Sequence, residues 1–298
     1  MIIGAIDVGS NTVKFLVASV DHGRVRPIAH GSEVTRLSGG LDRTGVLSPG
    51  AQRRTIAVLR RFLPKVAKLG ARRIVAVGTE ALRAARNGKA FAKRCLREAS
   101  VPVRIISGRE EARLAFLGAT GGRREKRLAA IDIGGGSTEF MVGQPGRLES
   151  DVSVPMGAVR LTEKHIEGDP PSLAERLSLL KGVHDGLERL PRRLFAAVRR
   201  ADAFLGIGGT CINVARMVFP KGDAEGRRVP LEKLETILDR LAELPLARRR
   251  RVPGIDPTRA DIIVAGARIL VESLRAFGLD GYTATTRGLR YGLVLSKA

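Results

Sequence analysis

The sequence predicts an α/β fold in two halves, on three observations. Short runs of Val, Ile, Leu and Ala alternate with segments of helical periodicity along the whole chain. Turns of the same chemistry open each half, Asp7-Val8-Gly9-Ser10-Asn11 near the start and Asp132-Ile133-Gly134-Gly135-Gly136 near the middle. The 298 residues exceed what one core usually fills and fit two domains of ordinary size.

The elements follow in order. Ile2–Val8 is β-branched and apolar, Gly9-Ser10-Asn11 is turn chemistry, and 13–20 is again strand-like. Ser48 opens a helix to about Leu69 with Ile56, Leu59 and Leu63 on one face. Residues 74–77 read as a buried strand, and Thr79-Glu80-Ala81-Leu82-Arg83 starts the next helix. A strand at 103–106 precedes a helix over 108–119. The polar, glycine-led stretch 121–127 is the expected junction, giving domains 1–121 and 122–298, with the last helix able to pack back on the first. Beyond it come strands at 128–133 and 138–142, helices near 157–165 and 172–188, and a strand at 203–207 running into Gly208-Gly209-Thr210 and a helix. Helices over about 231–243 and 258–277 precede a closing segment, 288–295.

Composition narrows the function classes. Apolar residues make up 44% of the chain without a single Trp, so aliphatic side chains build the cores. Cys95 and Cys211 have no metal-site or disulfide spacing, which points to a reducing, cytoplasmic setting. Asp7, Asn11 and Lys14 interrupt the apolar start, which does not read as a signal peptide. No uncharged apolar run is long enough to span a bilayer, so no membrane partner is expected. The net charge of +22, mostly from arginine, attracts polyanions, but composition leaves open whether it is functional and which polyanion it serves.

The repeated turn carries the sharper information. Asp7 and Asp132 each stand near the end of an apolar strand that turns through small residues into a second strand. Glycine lets the backbone approach a ligand closely, and successive turn N–H groups make an anion-binding concavity. The aspartate adds a hard oxygen for a cation or a water. Neither turn is a Walker A loop, which needs Gly-Lys-Ser/Thr, nor a dinucleotide fingerprint, which leads into a helix. Gly206-Ile207-Gly208-Gly209-Thr210 adds a third anion-type turn at a helix start. Among the carboxylates, Ser107 and Glu110 have capping-box spacing, whereas Glu111 has no such local role. Glu139 lies two residues past the second turn on the face opposite Phe140, a candidate metal ligand with Asp132.

Together these strings, with Gly78-Thr79-Glu80-Ala81-Leu82-Arg83, Ser107-Gly108-Arg109-Glu110-Glu111-Ala112-Arg113, Ser137-Thr138-Glu139 and Gly288-Leu289-Arg290, resemble the exopolyphosphatase / guanosine pentaphosphate phosphohydrolase family in its short two-domain form. The resemblance covers essentially the whole chain. It implies the two-lobed actin-like, sugar-kinase-like (ribonuclease H-like) ATPase-superfamily fold with the active site in the interlobe cleft. It also implies an exopolyphosphatase acting on inorganic polyphosphate, with guanosine pentaphosphate as the alternative substrate and a nucleotide-dependent kinase or ATPase as a second alternative. Glu111 matches the catalytic carboxylate. Asp132 and Glu139 match the magnesium ligands, assisted by Asp7, with manganese able to substitute. Gly9, Ser10, Asn11, Arg83, Gly135, Gly136, Ser137, Gly209 and Thr210 would hold phosphate. Relatives imply a homodimer, and the acids Glu111, Asp132 and Glu139 argue against a specific nucleic-acid partner, since binding alone would not need acids in a polyanion cleft. Tyr291 stands where many relatives carry Glu after Gly-Leu-Arg, which leaves the role of Arg290 open.

Overall fold

The computed structural model describes residues 1–297 and divides into two compact units, Met1–Gly122 with 287–297, and Arg123–Thr286. The first unit runs β1 (Ile2–Val8), β2 (Thr12–Asp21), β3 (Arg24–Val34), α1 (Leu41–Thr44), α2 (Pro49–Lys68), β4 (Arg73–Gly78), α3 (Glu80–Ala84), α4 (Gly88–Ala99), β5 (Val103–Ile105) and α5 (Gly108–Thr120). Its sheet has the order β3-β2-β1-β4-β5, antiparallel through the first three strands and parallel between β1, β4 and β5. Alternation in β1 feeds two cores. Ile6 and Val8 pack with Ile56, Leu59 and Phe62 of α2 and Phe91 of α4, whereas Ile3 and Ala5 pack with Leu114 of α5. A strand covered on both faces reads as the continuous apolar run seen in the sequence.

The second unit runs β6 (Leu128–Ile133), β7 (Thr138–Gln144), β8 (Arg147–Val154), α6 (Ala158–His165), α7 (Leu173–Leu187), α8 (Arg192–Arg199), β9 (Ala203–Ile207), α9 (Gly208–Val218), β10 (Arg228–Pro230), α10 (Leu231–Glu243), α11 (Leu246–Arg249), a 3-10 turn (Pro257–Arg259), α12 (Ile263–Phe277) and β11 (Gly281–Ala284). Its order, β8-β7-β6-β9-β11-β10, repeats the first sheet strand for strand and adds β10 at the edge. The single large core centres on α12, which is buried along nearly its whole length. This duplicated, mixed α/β sheet is the actin-like arrangement that the resemblance implied.

The last helix, α13 (Leu289–Leu295), packs with the first unit, as the sequence reading allowed, so the second unit ends at Thr286 rather than at 298. Backbone proximity is the reason. A Cβ on Gly118 of α5 would lie 2.1 Å from the Gly288 carbonyl oxygen, and one on Gly292 would lie 1.8 Å from that of Leu114. Only glycines permit the two helices to approach this closely.

Other departures are local. The edge strands β3 and β8 were not expected, because they are largely exposed and carry charged residues in place of an apolar run. The helix expected from Thr79 is two, α3 and α4. The one expected from 258 begins at Ile263, after a turn capped by the Asp256 side chain on the Thr258 N–H at 3.0 Å.

Candidate functional site

Both repeated turns are built by one device. In the first, the Gly9 N–H donates to the Thr12 carbonyl at 3.1 Å, and in the second the Gly134 N–H donates to that of Ser137 at 2.9 Å. The carbonyls inside each turn face backwards onto a neighbouring segment. Ser10 C=O accepts from Ser38 N–H at 2.9 Å, and Asn11 C=O accepts from Thr35 and Arg36, both at 2.9 Å. In the second turn Gly134 C=O accepts from Ala158 at 2.9 Å, and Gly135 C=O from Val159 and Arg160 at 2.9 and 3.1 Å. In a trans peptide the N–H points opposite to the preceding C=O. The N–H groups of Asn11, Gly135 and Gly136 are therefore aimed away from the anchoring segments, the orientation an anion cradle requires. Space for this comes from Gly157, where a Cβ would lie 2.3 Å from the Gly135 carbonyl oxygen.

The side chains around the two turns differ. Asp7 is buried opposite Lys14 in the β1–β2 register, and its Oδ1 has no hydrogen-bond partner. Burial pushes its carboxyl above the usual range, opposed by the nearby Lys14 and Arg290 charges. Arg290 Nη1 also donates to the Phe15 carbonyl at 2.8 Å, so this arginine ties α13 to β2. The buried Asn11 Nδ2 is likewise unpartnered. Ser10 Oγ donates to Glu80 Oε2 at 2.7 Å, a carboxylate to which the sequence had assigned no role.

At the second turn Asp132 stands opposite another acid, Glu139, in the β6–β7 register. Glu139 is buried, and its Oε1 accepts from Ser137 Oγ at 2.5 Å and from Ser153 Oγ at 2.9 Å. Ser137 thus orients the acid rather than presenting a free hydroxyl. Asp132 lies against the third turn, since a Cβ on Gly208 (φ +85°) would be 2.5 Å from its Oδ1. Asn213 Nδ2 donates to the Gly209 carbonyl at 2.7 Å, which turns the Thr210 N–H the other way. The Thr210 side chain packs on Gly266 of α12, so its contribution to an anion would come from the backbone.

Arg259 was not selected from the sequence, where nothing local marks it. Its guanidinium lies on this turn, 2.1 Å from where a Gly209 Cβ would be, and feels the charges of Asp256, Asp132 and Asp261. Burial pulls its pKa below the usual arginine value.

Glu111 lies in the first turn of α5, after the Ser107 cap. Its Oε2 accepts from Arg83 Nη1 at 3.1 Å, and the same nitrogen reaches the Ile106 carbonyl at 2.9 Å. Arg83 therefore holds Glu111 against the β5–α5 junction. The expected capping box is only half made. Ser107 Oγ accepts from the Glu110 N–H at 3.2 Å, but the Glu110 carboxylate pairs with Arg104 at 2.8 and 2.9 Å. An arginine six residues away competes with the cap for the acid, and this pairing holds the Glu110 carboxyl below its ordinary value. The full box forms instead at Ser172 and Glu175.

Asp132 and Glu139 are two hard carboxylates, the second held by the Ser137 and Ser153 hydroxyls, a donor set that suits Mg2+ when water and phosphate oxygens supply the rest. The described residues include no group of three or more His, Cys, Asp or Glu able to hold a metal alone.

A family model described as the Ppx/GppA phosphatase family matches residues 16–298. The chain belongs to this family. Exopolyphosphatase 2 of Mycobacterium tuberculosis is 30% identical over 316 aligned residues, covering 99% of this chain and 98% of that one. Exopolyphosphatase 1 of Mycobacterium bovis is 28% identical and covers 100% of this chain and 88% of its own length. The crystal structure of the Aquifex aeolicus family member superposes with a TM-score of 0.82 at 28% identity, covering 100% of this chain and 97% of that one. This Ppx/GppA protein is accordingly a hydrolase. No helix among its described residues is long and apolar enough to cross a membrane.

Proposed function

We propose that this Ppx/GppA protein is an exopolyphosphatase that releases orthophosphate from the end of inorganic polyphosphate. Support comes from relatives named exopolyphosphatases that match over nearly its whole length. The observation that carries the chemistry is the duplicated turn, whose N–H groups face away from their anchors in both units. In the proposed reaction a water oxygen bonds to the terminal phosphorus in line with the bridging oxygen. The bridging P–O bond breaks, and the shortened chain departs with the bond's electrons. Glu111, steadied by Arg83, orients the water and takes its proton. Backbone N–H groups of Asn11, Gly135, Gly136 and Thr210, with Gly9 giving the first turn its close approach, hold phosphate oxygens as charge moves to the leaving chain. Asp132 and Glu139 would hold Mg2+, with Asp7 assisting, and the ion would neutralise phosphate charge.

Phosphate release with Mg2+, comparing long-chain polyphosphate with guanosine pentaphosphate, tests this reading. Wild type should cleave polyphosphate, and Glu111→Gln should lose about 10²–10⁴ in turnover. Release from the nucleotide alone would move the protein to the guanosine pentaphosphate branch. Full activity in Glu111→Gln would remove Glu111 from the mechanism.

A further inference from the structure

Asn213 is a buried amide in α9, among the buried Cys211, Ile212, Val214 and Ala215. Asparagine suits a helix interior poorly, because its side chain competes for backbone groups, and burying it is costly unless its amide is paired. Both ends are paired here, each with the backbone of a different segment. Nδ2 donates to the Gly209 carbonyl at 2.7 Å, and Oδ1 accepts from the Asp256 N–H at 2.6 Å.

The second arm matters because of what Asp256 starts. Its carboxylate caps the 3-10 turn Pro257–Arg259, accepting from the Thr258 N–H at 3.0 Å and the Thr258 hydroxyl at 2.6 Å. Its carbonyl accepts from the Arg259 N–H at 2.8 Å. Gly254 (φ +93°) lets this loop lie against the end of α9, where a Cβ would be 2.5 Å from the Arg216 carbonyl carbon. The Arg259 guanidinium then returns to Gly209. The circuit is closed: Gly209 carbonyl, Asn213 amide, Asp256 backbone, Arg259 backbone, Arg259 guanidinium, Gly209. One arm of Asn213 sets the direction of the Thr210 N–H, and the other sets the loop that brings the arginine to the same turn. An amide offers the donor and the acceptor that this requires, whereas an ionised carboxylate has no donor.

We propose that Asn213 is a positioning residue for phosphate binding, locking the third turn to the loop that carries Arg259 so that a phosphate on the Thr210 N–H also meets the arginine's charge. Asn213 acts through these two groups. The proposal rests on the exopolyphosphatase reading and deepens it.

Two measurements test it together: calorimetric titration with tripolyphosphate while a chelator holds turnover off, and steady-state phosphate release from long-chain polyphosphate with Mg2+. N213V removes both hydrogen bonds, and N213T differs from it by a hydroxyl that can donate to the carbonyl one turn back. N213V should weaken tripolyphosphate binding about tenfold at unchanged stoichiometry and lower kcat/KM at least as much. N213T should recover part of that loss and only part, because the Asp256 N–H stays without its acceptor. L194A, a core truncation on α8, destabilises the same unit and should leave affinity unchanged, since a smaller folded fraction lowers stoichiometry instead. Combined with R259Q, N213V should cost less than the two separate losses multiplied, as groups acting as one unit require. Wild-type affinity in N213V, an N213T indistinguishable from N213V or from wild type, equal weakening in L194A, or independent losses with R259Q would each overturn the positioning role. Tripolyphosphate bound through Asn213 with polyphosphate never cleaved would sink the exopolyphosphatase reading and leave the role standing. A wild type that neither binds nor cleaves would end both.

Discussion

The two hairpins share a backbone and differ in the residue across from the aspartate. Asp7 faces Lys14, whereas Asp132 faces Glu139. In the first, a lysine and the nearby Arg290 offset a buried acid locally. In the second, two acids share a register position, with the buried Arg259 near Asp132, and under the proposed function this pair would hold the cation. Similar turns therefore carry different electrostatics: the first hairpin sets its acid against a lysine on the paired strand, and the second sets acid against acid, with Arg259 from outside the hairpin as the positive charge near Asp132.

The largest expected effect breaks the comparison if it fails. Glu139→Gln should raise the Mg2+ concentration needed for half-maximal phosphate release by about 10²-fold or more, while Lys14→Gln leaves that midpoint in place. An equal shift in both variants would mean that the hairpins are not divided in this way.

Gly157→Ala probes the backbone that the two share. The new methyl would meet the Gly135 carbonyl at 2.3 Å, so the second turn must move, at a cost of about 2 kcal/mol or more. Thermal unfolding should report the loss. A variant of wild-type stability and activity would show that the turn does not depend on this contact.

Asp7→Asn gives the smallest effect and sharpens the first hairpin. Its carboxyl is raised above the ordinary value of 3.8, so ionisation costs native stability as pH rises past that value. The amide should then be more stable than wild type at pH 7, with the gain disappearing below about pH 3.8. Paired unfolding curves at both pH values check the sign. Destabilisation at pH 7 would mean that Lys14 and Arg290 outweigh burial.

Much of this was legible from residues. Apolar runs marked the central strands because β1 and β6 are covered on both faces. Glycine with a nearby aspartate marked both turns, because few other residues allow a backbone to serve as a ligand. The edge strands β3 and β8 were not legible, since a half-exposed strand has no apolar signature. The capping spacing at Ser107 misled about Glu110, because sequence spacing does not reveal that Arg104 is within reach.

By itself the sequence determined the two α/β halves, the turn chemistry and the family, all of which depend on local pattern. Tertiary structure alone decided that α13 joins the first unit, that Lys14 and Glu139 occupy matching positions, that Arg83 holds Glu111, and that Arg259 reaches the third turn. Each of these joins residues that are remote along the chain or depends on strand register. Side-chain chemistry is written residue by residue, but proximity is set only when the cores close.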